Sequence, residues 1–452
     1  MQNKNFVHNF SSGSDTTHFN PNKINLITIG TSRLEFSVKN KTLKWDNNQF
    51  MSPWLLQKNN FNNIEEIPLS IKNWLVGFSD AESNFQISIN LRNSIVFKYT
   101  INLHIDDADT LYFIRDVLNV GTVRLLPEYN KVRFQVNKHE EIKNIIIPLF
   151  DQIPLLTTKA LDFEDFKKAF ILKDSNSLKD RAQIIPEIIA LKNKMNKKRV
   201  LEDNLLKDSS MDINLHWLLG FIEGEGSFEL SSGNALISLG QLSTNSALLE
   251  AISLFVQKLT LSIKGPRPVT TFGEQESMSR IRWSNLEELI ILLNIFGKEG
   301  FVSRKRVDFM IWCHGINILY GGYHTLDEGL KLYQDLVKNI NKKRYTTSLT
   351  YKDLPLIDQA TIDNLFLQPD PYPEVLTSKQ KKSSIHTKIE LDKKNRVIEV
   401  LDLNNNLLFT CRTYTEAGKF CNCSYKTIVK YINLKEPFNN YILKEYSLEK
   451  RD

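Results

Sequence analysis

Two glutamates stand at the end of an apolar stretch, where their carboxylates could hold a cation. Glu223 and Glu225 alternate with Gly224 and Gly226 in "HWLLGFIEGEGSFEL", residues 216 to 230. The apolar spacing is typical of a buried helix, and the C-terminus of a helix carries a partial negative charge that disfavours a nearby anion. For a single glutamate at this place a solvated helix end is the favoured interpretation, so the stretch alone does not define a site.

The carboxylate stretch has an earlier copy in the chain. "NWLVGFSDAESNFQI", residues 73 to 87, places Glu82 on Glu225, 143 positions away. "LLTTKALDF" matches "FVSRKRVDF" and places Lys159 on Lys305 at a spacing of 146, and "MNKKR" matches "INKKR" at a spacing of 145. Three matches at nearly one period indicate an internal duplication.

The duplication divides the chain into segments. An extension without an interpretable motif precedes the first copy, and a Pro- and Lys-rich stretch follows the second one. The predicted boundaries are residues 1–69 (N-terminal extension), 70–200 (first copy), 201–212 (linker), 213–345 (second copy), 346–395 (Pro/Lys-rich linker) and 396–452 (small C-terminal module).

Each copy predicts the same order of elements. "NFQISINLR" and "IVFKYTINLH" alternate apolar and polar residues with period two, which indicates half-buried strands. The full pattern reads helix, strand pair, helix, strand pair, helices. This order predicts an α+β fold with an antiparallel sheet in each copy.

Small residues recur four apart in the first helix of each copy. They are Gly77 and Ala81 in one copy, and Gly220 and Gly224 in the other. A helical glycine costs roughly 1 kcal/mol relative to alanine, and close packing of two helices is the natural compensation. We expect the two helices to pack on each other, although each could instead pack on its own sheet.

Paired helices would bring Glu82 and Glu225 to the same end of the pair. Two carboxylates beside unpaired helix-end carbonyls form a site that lacks a cation. Hard oxygen ligands of this kind point to Mg²⁺. Because the glutamate is duplicated at an equivalent position, a functional role is favoured over a solvated helix end.

Composition and charge limit the remaining classes. The 452 residues are 41% hydrophobic and 24% charged, which is typical of a globular protein. A net charge of +6 permits a nucleic-acid partner, and basic runs such as "KNKMNKKR" are compatible with a solvated face. The four cysteines form no zinc or disulfide pattern, and no apolar run is long enough to span a membrane.

The start of the chain has neither an apolar signal core nor arginine. We therefore expect a protein that is cytosolic or made in the compartment where it works. The excess of Asn, Lys and Ile, whose codons are AT-rich, favours an organellar gene; we expect a mitochondrial one, with the chloroplast as the alternative.

The two helix ends, "LVGFSDAES" and "LLGFIEGEG", resemble the signature of the LAGLIDADG homing endonucleases in their double-motif, single-chain form. The resemblance extends to the segment "PLLTTKALDF" and to the order of elements. It implies two pseudo-symmetric αββαββα halves with the signature helices at their interface. It further implies a saddle-shaped antiparallel β surface over the DNA major groove, divalent metal at the foot of the helices, and a monomer.

The resemblance also implies roles for individual residues. Ser83 departs from the signature, which has glycine at that position, but this change removes no ligand. The carried-over roles are metal binding for Glu82 and Glu225, support of the helix ends for Asp80 and Glu223, a basic group near the scissile phosphates for Lys159 and Lys305, and orientation of water for His104 and Gln241.

Alternating strand residues could read base edges in a DNA groove. For any one of them, a role on the solvated face of the sheet is an equal alternative. The candidates are Gln86, Ser88, Asn90 and Arg92 in the first copy and Glu229 and Ser231 in the second.

The C-terminal module predicts a hairpin with Asn404 to Asn406 at its turn, followed by two short helices. Thr413 and Glu416 have the spacing of a capping box, and Ser424 can cap the second helix. The pattern resembles the nuclease-associated modular domain, which implies DNA contacts for Tyr425, Lys426 and Lys430. A small protein-binding module is the alternative.

Together these features predict an intron-encoded, site-specific endonuclease that hydrolyses double-stranded DNA with Mg²⁺. The alternative is an RNA maturase that assists splicing of its own group I intron, alone or in addition to cleavage. A catalytically silent DNA-binding regulator is a third, weaker candidate. The presence of both Glu82 and Glu225 favours cleavage, because RNA binding would not need them.

Overall fold

The computed structural model describes most of both copies and of the C-terminal module. The prediction for Arg92 lies outside the described residues, as do most of the expected connectors. The described residues are 49–56, 61–90, 94–176, 181–196, 211–231, 233–262, 267–272, 278–342, 344–345, 354–369, 371 and 396–447.

The first half follows the predicted order of elements. A π-helical turn, Ile142–Ile146, joins two short helices after the second strand pair. The elements are α1 (Leu69–Glu82), β1 (Ser83–Ile89), β2 (Ile95–His104), α2 (Ala108–Leu118), β3 (Thr122–Leu126), β4 (Lys131–Val136), α3 (His139–Glu141), α4 (Ile147–Gln152), α5 (Lys159–Ser175) and α6 (Arg181–Lys194).

The second half repeats this order. The elements are α7 (Leu215–Glu225), β5 (Gly226–Ser231), β6 (Asn234–Leu242), α8 (Ser246–Thr260), β7 (Thr270–Phe272), β8 (Met278–Trp283), α9 (Leu286–Glu299), α10 (Lys305–Gly321) and α11 (Asp327–Asn339). Both sheets are antiparallel and four-stranded, with the equivalent strand orders β1-β2-β4-β3 and β5-β6-β8-β7. The predicted α+β class and duplicated topology are confirmed.

Each sheet buries one face against helices. In the first half Phe85 of β1 lies 5.4 Å, ring centre to ring centre, from Phe163 and 5.3 Å from Phe166, both on α5. In the second half Phe228 of β5 lies 5.2 Å from Phe309 on α10. The opposite face of each sheet carries the polar residues of the period-two pattern, so it is the face left open to a ligand.

The signature helices α1 and α7 pack on each other, as the small residues predict. A Cβ atom built on Gly77 would lie 2.0 Å from the carbonyl oxygen of Trp217, and one built on Gly220 would lie 2.1 Å from that of Trp74. At Gly224 the added atom would lie 2.3 Å from the Cβ of Ala81. Only glycine allows the two backbones to approach this closely.

The repeated "NKK" motif has a structural explanation. Asn196 and Asn341 both adopt positive φ, at 53° and 60°. Asn341 donates its backbone N–H to Asp308 on α10 and its side-chain amide to the carbonyl of Phe228 on β5, at 3.2 and 2.9 Å. Asn196 makes the equivalent bonds to α5 and β1 in the first half. The motif therefore ties the end of each half to its sheet.

Two segments outside the predicted copies pack on the second half. Residues 49–56 run beside the start of α10: the Ser52 N–H donates to the carbonyl of Phe301 at 2.9 Å, and the Phe301 N–H donates to Phe50 at 2.7 Å. A further helix, α12 (Gln359–Leu367), lies within the expected Pro/Lys-rich linker and buries Ile362 and Leu365. The expectation of a plain connector is wrong for this helix, because its apolar residues bury against the second half.

The C-terminal module is a three-stranded sheet with two helices. Its elements are β9 (Arg396–Asp402), β10 (Leu407–Cys411), α13 (Tyr414–Phe420), α14 (Tyr425–Leu434) and β11 (Tyr441–Ser447), in the strand order β10-β9-β11. The capping box of Thr413 and Glu416 and the Ser424 cap are present as predicted. The third strand, β11, was not predicted.

Candidate active site

The carboxylates of Glu82 and Glu225 end the two paired helices. A Cβ atom built on Gly224 would lie 3.3 Å from Glu82 Oε1, so the Glu82 side chain turns towards α7. Burial raises the pKa of both glutamates, and the charge of Glu225 raises that of Glu82 further. The nearby charges of Lys159 and Lys305 partly oppose this effect for both groups. The fold therefore brings these two acids and two lysines together.

Each lysine is the first residue of a helix and points back towards the glutamates. Lys159 begins α5 and donates its Nζ to the carbonyl of Ser79 at 2.8 Å. Lys305 begins α10 and donates to the carbonyl of Gly226 at 2.5 Å. Burial lowers the pKa of both lysines, and the positive charge of Arg344 helps to bring that of Lys305 to about 8.

Asp80 and Glu223 hold the segments that lead into these lysine helices. Asp80 accepts the N–H groups of Leu156 and Thr157, both at 3.0 Å, and the Thr157 hydroxyl at 2.7 Å. Burial raises the pKa of Asp80, and these donors oppose the rise. The position matches the supporting role that the resemblance implies.

Glu223 makes the equivalent contacts in the second half. It accepts the N–H groups of Val302 at 3.0 Å and Ser303 at 2.5 Å. An acid at the N-terminus of a helix also interacts favourably with the helix dipole. Both supporting acids therefore fix where a lysine helix begins.

Gln241 lies beside Glu225 and is held there by a hydrogen bond from the side chain of Asn245. Asn245 accepts the Thr158 N–H at 3.0 Å and donates its own amide to Gln241 Oε1, also at 3.0 Å. The remaining amide group of Gln241 is directed to Glu225, whose pKa this hydrogen bond lowers. Gln241 therefore lies at the candidate site.

His104 is not the counterpart of Gln241. The strand registers pair Ser83 with Ile101 and Gly226 with Leu239, so Leu103 occupies the position of Gln241. His104 lies one residue further along, and a shift of one residue moves a side chain to the other face of a sheet. Its ring stacks on Tyr345, with ring centres 3.9 Å apart. The predicted pairing of His104 with Gln241 is wrong because the longer first hairpin hides the register in the sequence.

The strand candidates for DNA contact lie on the outer faces of the two sheets. Gln86, Asn90 and Ser231 are exposed and Ser88 is half-buried. Glu229 accepts a hydrogen bond from the Ser238 hydroxyl at 2.5 Å, so it is already engaged within the sheet. No contact in the structure assigns these residues to DNA, and their role stays a prediction.

Basic residues on the same faces were not among the sequence candidates. Lys98 lies opposite Gln86 in the β1–β2 pair. Arg280 and Arg282 lie opposite Gly240 and Ser238 in the β6–β8 pair. The alternation of apolar and basic residues in "MSRIRW" is the sequence signal for the two arginines.

In the C-terminal module, Tyr425, Lys426 and Lys430 are all exposed on α14. Ile428 faces the opposite way and belongs to the small core of the module. The polar face of α14, which carries these three residues, is therefore exposed to solvent.

Comparison with known proteins agrees with this geometry. Residues 75–170 match the family model described as LAGLIDADG endonuclease. The chain is 29% identical over 426 residues to the "Uncharacterized mitochondrial protein RF1" of Saccharomyces cerevisiae, covering 87% of this chain and 86% of that protein. It is also 29% identical over 315 residues to the "Probable intron-encoded endonuclease Cox1-I1b" of Schizosaccharomyces pombe, covering 67% and 77%.

Among solved structures, the LAGLIDADG homing endonuclease I-GzeII in complex with its DNA target superposes with a TM-score of 0.52 at 22% identity. The match covers 61% of this chain and 99% of that one. No helix in the described part of the chain is long and apolar enough to cross a membrane. Residues 75–170 are thus similar to the LAGLIDADG endonuclease family, and the chain has the two-half fold of the LAGLIDADG homing endonucleases.

Proposed function

We propose that the protein is an intron-encoded, site-specific endonuclease that cuts both strands of DNA with the help of Mg²⁺. The observation that carries the proposal is the meeting of Glu82 and Glu225 at the paired helix ends, with Lys159 and Lys305 beside them. The relative from Saccharomyces cerevisiae is named as a mitochondrial protein, which supports a mitochondrial location for this protein. The presence of both halves in one chain supports a monomer.

The donor set fits Mg²⁺ bound together with DNA. Among the described residues, no group of three or more His, Cys, Asp or Glu side chains is arranged to hold a metal by itself. Mg²⁺ keeps several waters and commonly binds one or two carboxylates plus substrate phosphates. Glu82 and Glu225 would be these carboxylates; burial raises the pKa of both, and a bound cation would stabilise their charged forms. Bound there, the ion would activate water and stabilise the leaving oxygen.

The side chains around the glutamates suit phosphodiester hydrolysis. Lys159 and Lys305 would place positive charge where the reacting phosphate gains negative charge. Gln241, held by Asn245, would orient Glu225 or a water beside it. The buried surroundings of the lysines strengthen each of these interactions relative to water.

The two outer sheet faces and α14 would supply the contacts to DNA. Gln86, Ser88, Asn90, Glu229 and Ser231 would read base edges, with Arg92 as a candidate outside the described residues. Basic side chains beside them, Lys98 and the two arginines of β8, would contact phosphates. Tyr425, Lys426 and Lys430 would extend the contact beyond the two halves.

The test is cleavage of DNA that spans the intronless allele of the gene carrying this reading frame. We expect the wild type to linearise the DNA with Mg²⁺, and the variant with Glu82→Gln and Glu225→Gln to bind it without cutting. Asp174→Asn is a matched control, because Asp174 is a partly exposed carboxylate engaged by Lys143 and His139 away from the site. Intact DNA together with faster splicing of the intron RNA would reject the nuclease and support the maturase.

A further inference from the structure

Two buried tryptophans form crossed hydrogen bonds between the halves. Trp74 on α1 donates its indole N–H to Glu223 on α7 at 2.7 Å. Trp217 on α7 donates its indole N–H to Asp80 on α1 at 3.0 Å. Both tryptophans are 1% exposed, so neither indole N–H has water as an alternative partner.

Glu223, which accepts the Trp74 indole N–H, is linked by further hydrogen bonds to the segment that precedes Lys305. Glu223 holds the backbone of Val302 and Ser303, three and two residues before Lys305. Lys305 in turn reaches the carbonyl of Gly226, next to Glu225. Trp74 of the first half is therefore connected to the lysine of the second half.

The reverse connection has the same form. Asp80 holds the backbone of Leu156 and Thr157 ahead of Lys159. Lys159 reaches the carbonyl of Ser79 on α1. Trp217 of the second half is therefore connected to the lysine of the first half.

We propose that Trp74 and Trp217 are crossed positioning residues, each of which fixes the lysine of the opposite half. The proposal rests on the nuclease function proposed above and adds which residues couple its two sites. Glu223 and Asp80 keep their backbone donors when the indole N–H is removed, but each loses the one donor that fixes it from the opposite helix, so the carboxylate is held less firmly. The segment that it holds would move with it, and the lysine would follow.

A Trp→Phe substitution removes the indole N–H and keeps an aromatic ring. Trp74 stacks on Phe78 with ring centres 5.1 Å apart, and Trp217 stacks on Phe221 at 4.9 Å. Phenylalanine can retain much of this stacking, so the lost hydrogen bond is the main change. If the indoles only held α1 against α7, either substitution would disturb both sites alike.

The experiment follows nicking of each DNA strand separately, on a target labelled at both 5′ ends. We expect Trp74→Phe to slow the same strand as Lys305→Met, and Trp217→Phe to slow the other strand, together with Lys159→Met. A slowing of about tenfold or more is expected, because a displacement near 1 Å from the reacting geometry can cost about 100-fold. Trp312→Phe is the matched control, since this buried indole donates to the carbonyl of Leu236 and contacts neither acid.

Amide hydrogen exchange provides a readout that does not depend on cleavage. Trp74→Phe should speed exchange in residues 302–305 and leave 156–159 unchanged, and Trp217→Phe should do the opposite. The crossed assignment is overturned if each variant loosens its own half, or if both variants slow both strands equally. A wild type that cuts no DNA would instead refute the proposed function, and hydrogen exchange would still decide the crossed connection.

Discussion

Replacing Gly220 by alanine tests whether the two signature helices are in backbone contact. The new Cβ would lie 2.1 Å from the carbonyl oxygen of Trp74 and 2.7 Å from the backbone nitrogen of Phe78. Ordinary van der Waals contact begins at 3.4 Å. Because both neighbours are backbone atoms, no side-chain rotation can relieve the overlap, and α1 and α7 must separate by roughly 1 Å.

The cost follows from two opposing effects. Overpacking of a core typically costs about 1–3 kcal/mol, and the rigid neighbours favour the upper end of this range. Alanine in place of a helical glycine gains up to about 1 kcal/mol. We therefore expect the free energy of unfolding to fall by about 2 kcal/mol, with the catalytic loss larger still because Glu82 and Glu225 move apart.

Urea unfolding of Gly220→Ala measures the first effect, and cleavage under conditions where the variant is fully folded measures the second. Gly240→Ala is the control for stability, because its added Cβ would find its nearest neighbour at 3.8 Å. The control should unfold at or above the wild-type urea concentration. An unchanged midpoint for Gly220→Ala would refute the proposed contact between the helix backbones.

Three further predictions concern charge, DNA binding and the repeated asparagine. Because the pKa of Glu82 and of Glu225 is raised in the folded protein, the folded protein binds more protons than the unfolded chain once the pH exceeds the ordinary value of 4.5. The free energy of unfolding therefore falls as the pH rises from that value through the raised pKa values, and it stays lower above them. Either Glu→Gln change should therefore raise the melting temperature at pH 7 in EDTA, and a lower melting temperature would contradict this. Replacing Lys426 and Lys430 by alanine should weaken DNA binding and reduce the slope of log K against log salt by about 2 in anisotropy titrations, whereas an unchanged slope would exclude phosphate contacts. Asn341→Ala should lower the free energy of unfolding by about 2 kcal/mol in urea, since it loses a partly buried hydrogen bond and leaves alanine at positive φ, and wild-type stability would argue against the tie to β5.

Several features of the site could be predicted from residue types and spacing. The match of Glu82 with Glu225 located both helix ends, and the Gly77 and Gly220 positions indicated the helix pair. These features are local, because a helix packing face and its last residue are defined within about 15 residues of sequence. The capping box of Thr413 was predicted for the same reason.

Other features depend on how distant segments meet. No spacing in the sequence reveals that residues 49–56 lie against Phe301 or that α12 packs on the second half. The unpredicted β11 pairs with β9 in a register that joins residues 39 to 51 positions apart in the chain, and no local pattern reveals such a pairing.

The sequence by itself determined the duplication, the α+β class and the acids and lysines of the candidate site, because each is a matter of residue type at a repeated spacing. Only the tertiary structure decided that Leu103 rather than His104 occupies the position equivalent to Gln241 in the first half, since a slip of one residue in a strand exchanges its two faces. Only the tertiary structure showed the crossed bonds from Trp74 to Glu223 and from Trp217 to Asp80. Those partners are 149 and 137 residues apart, and the packing of α1 on α7 alone brings them together.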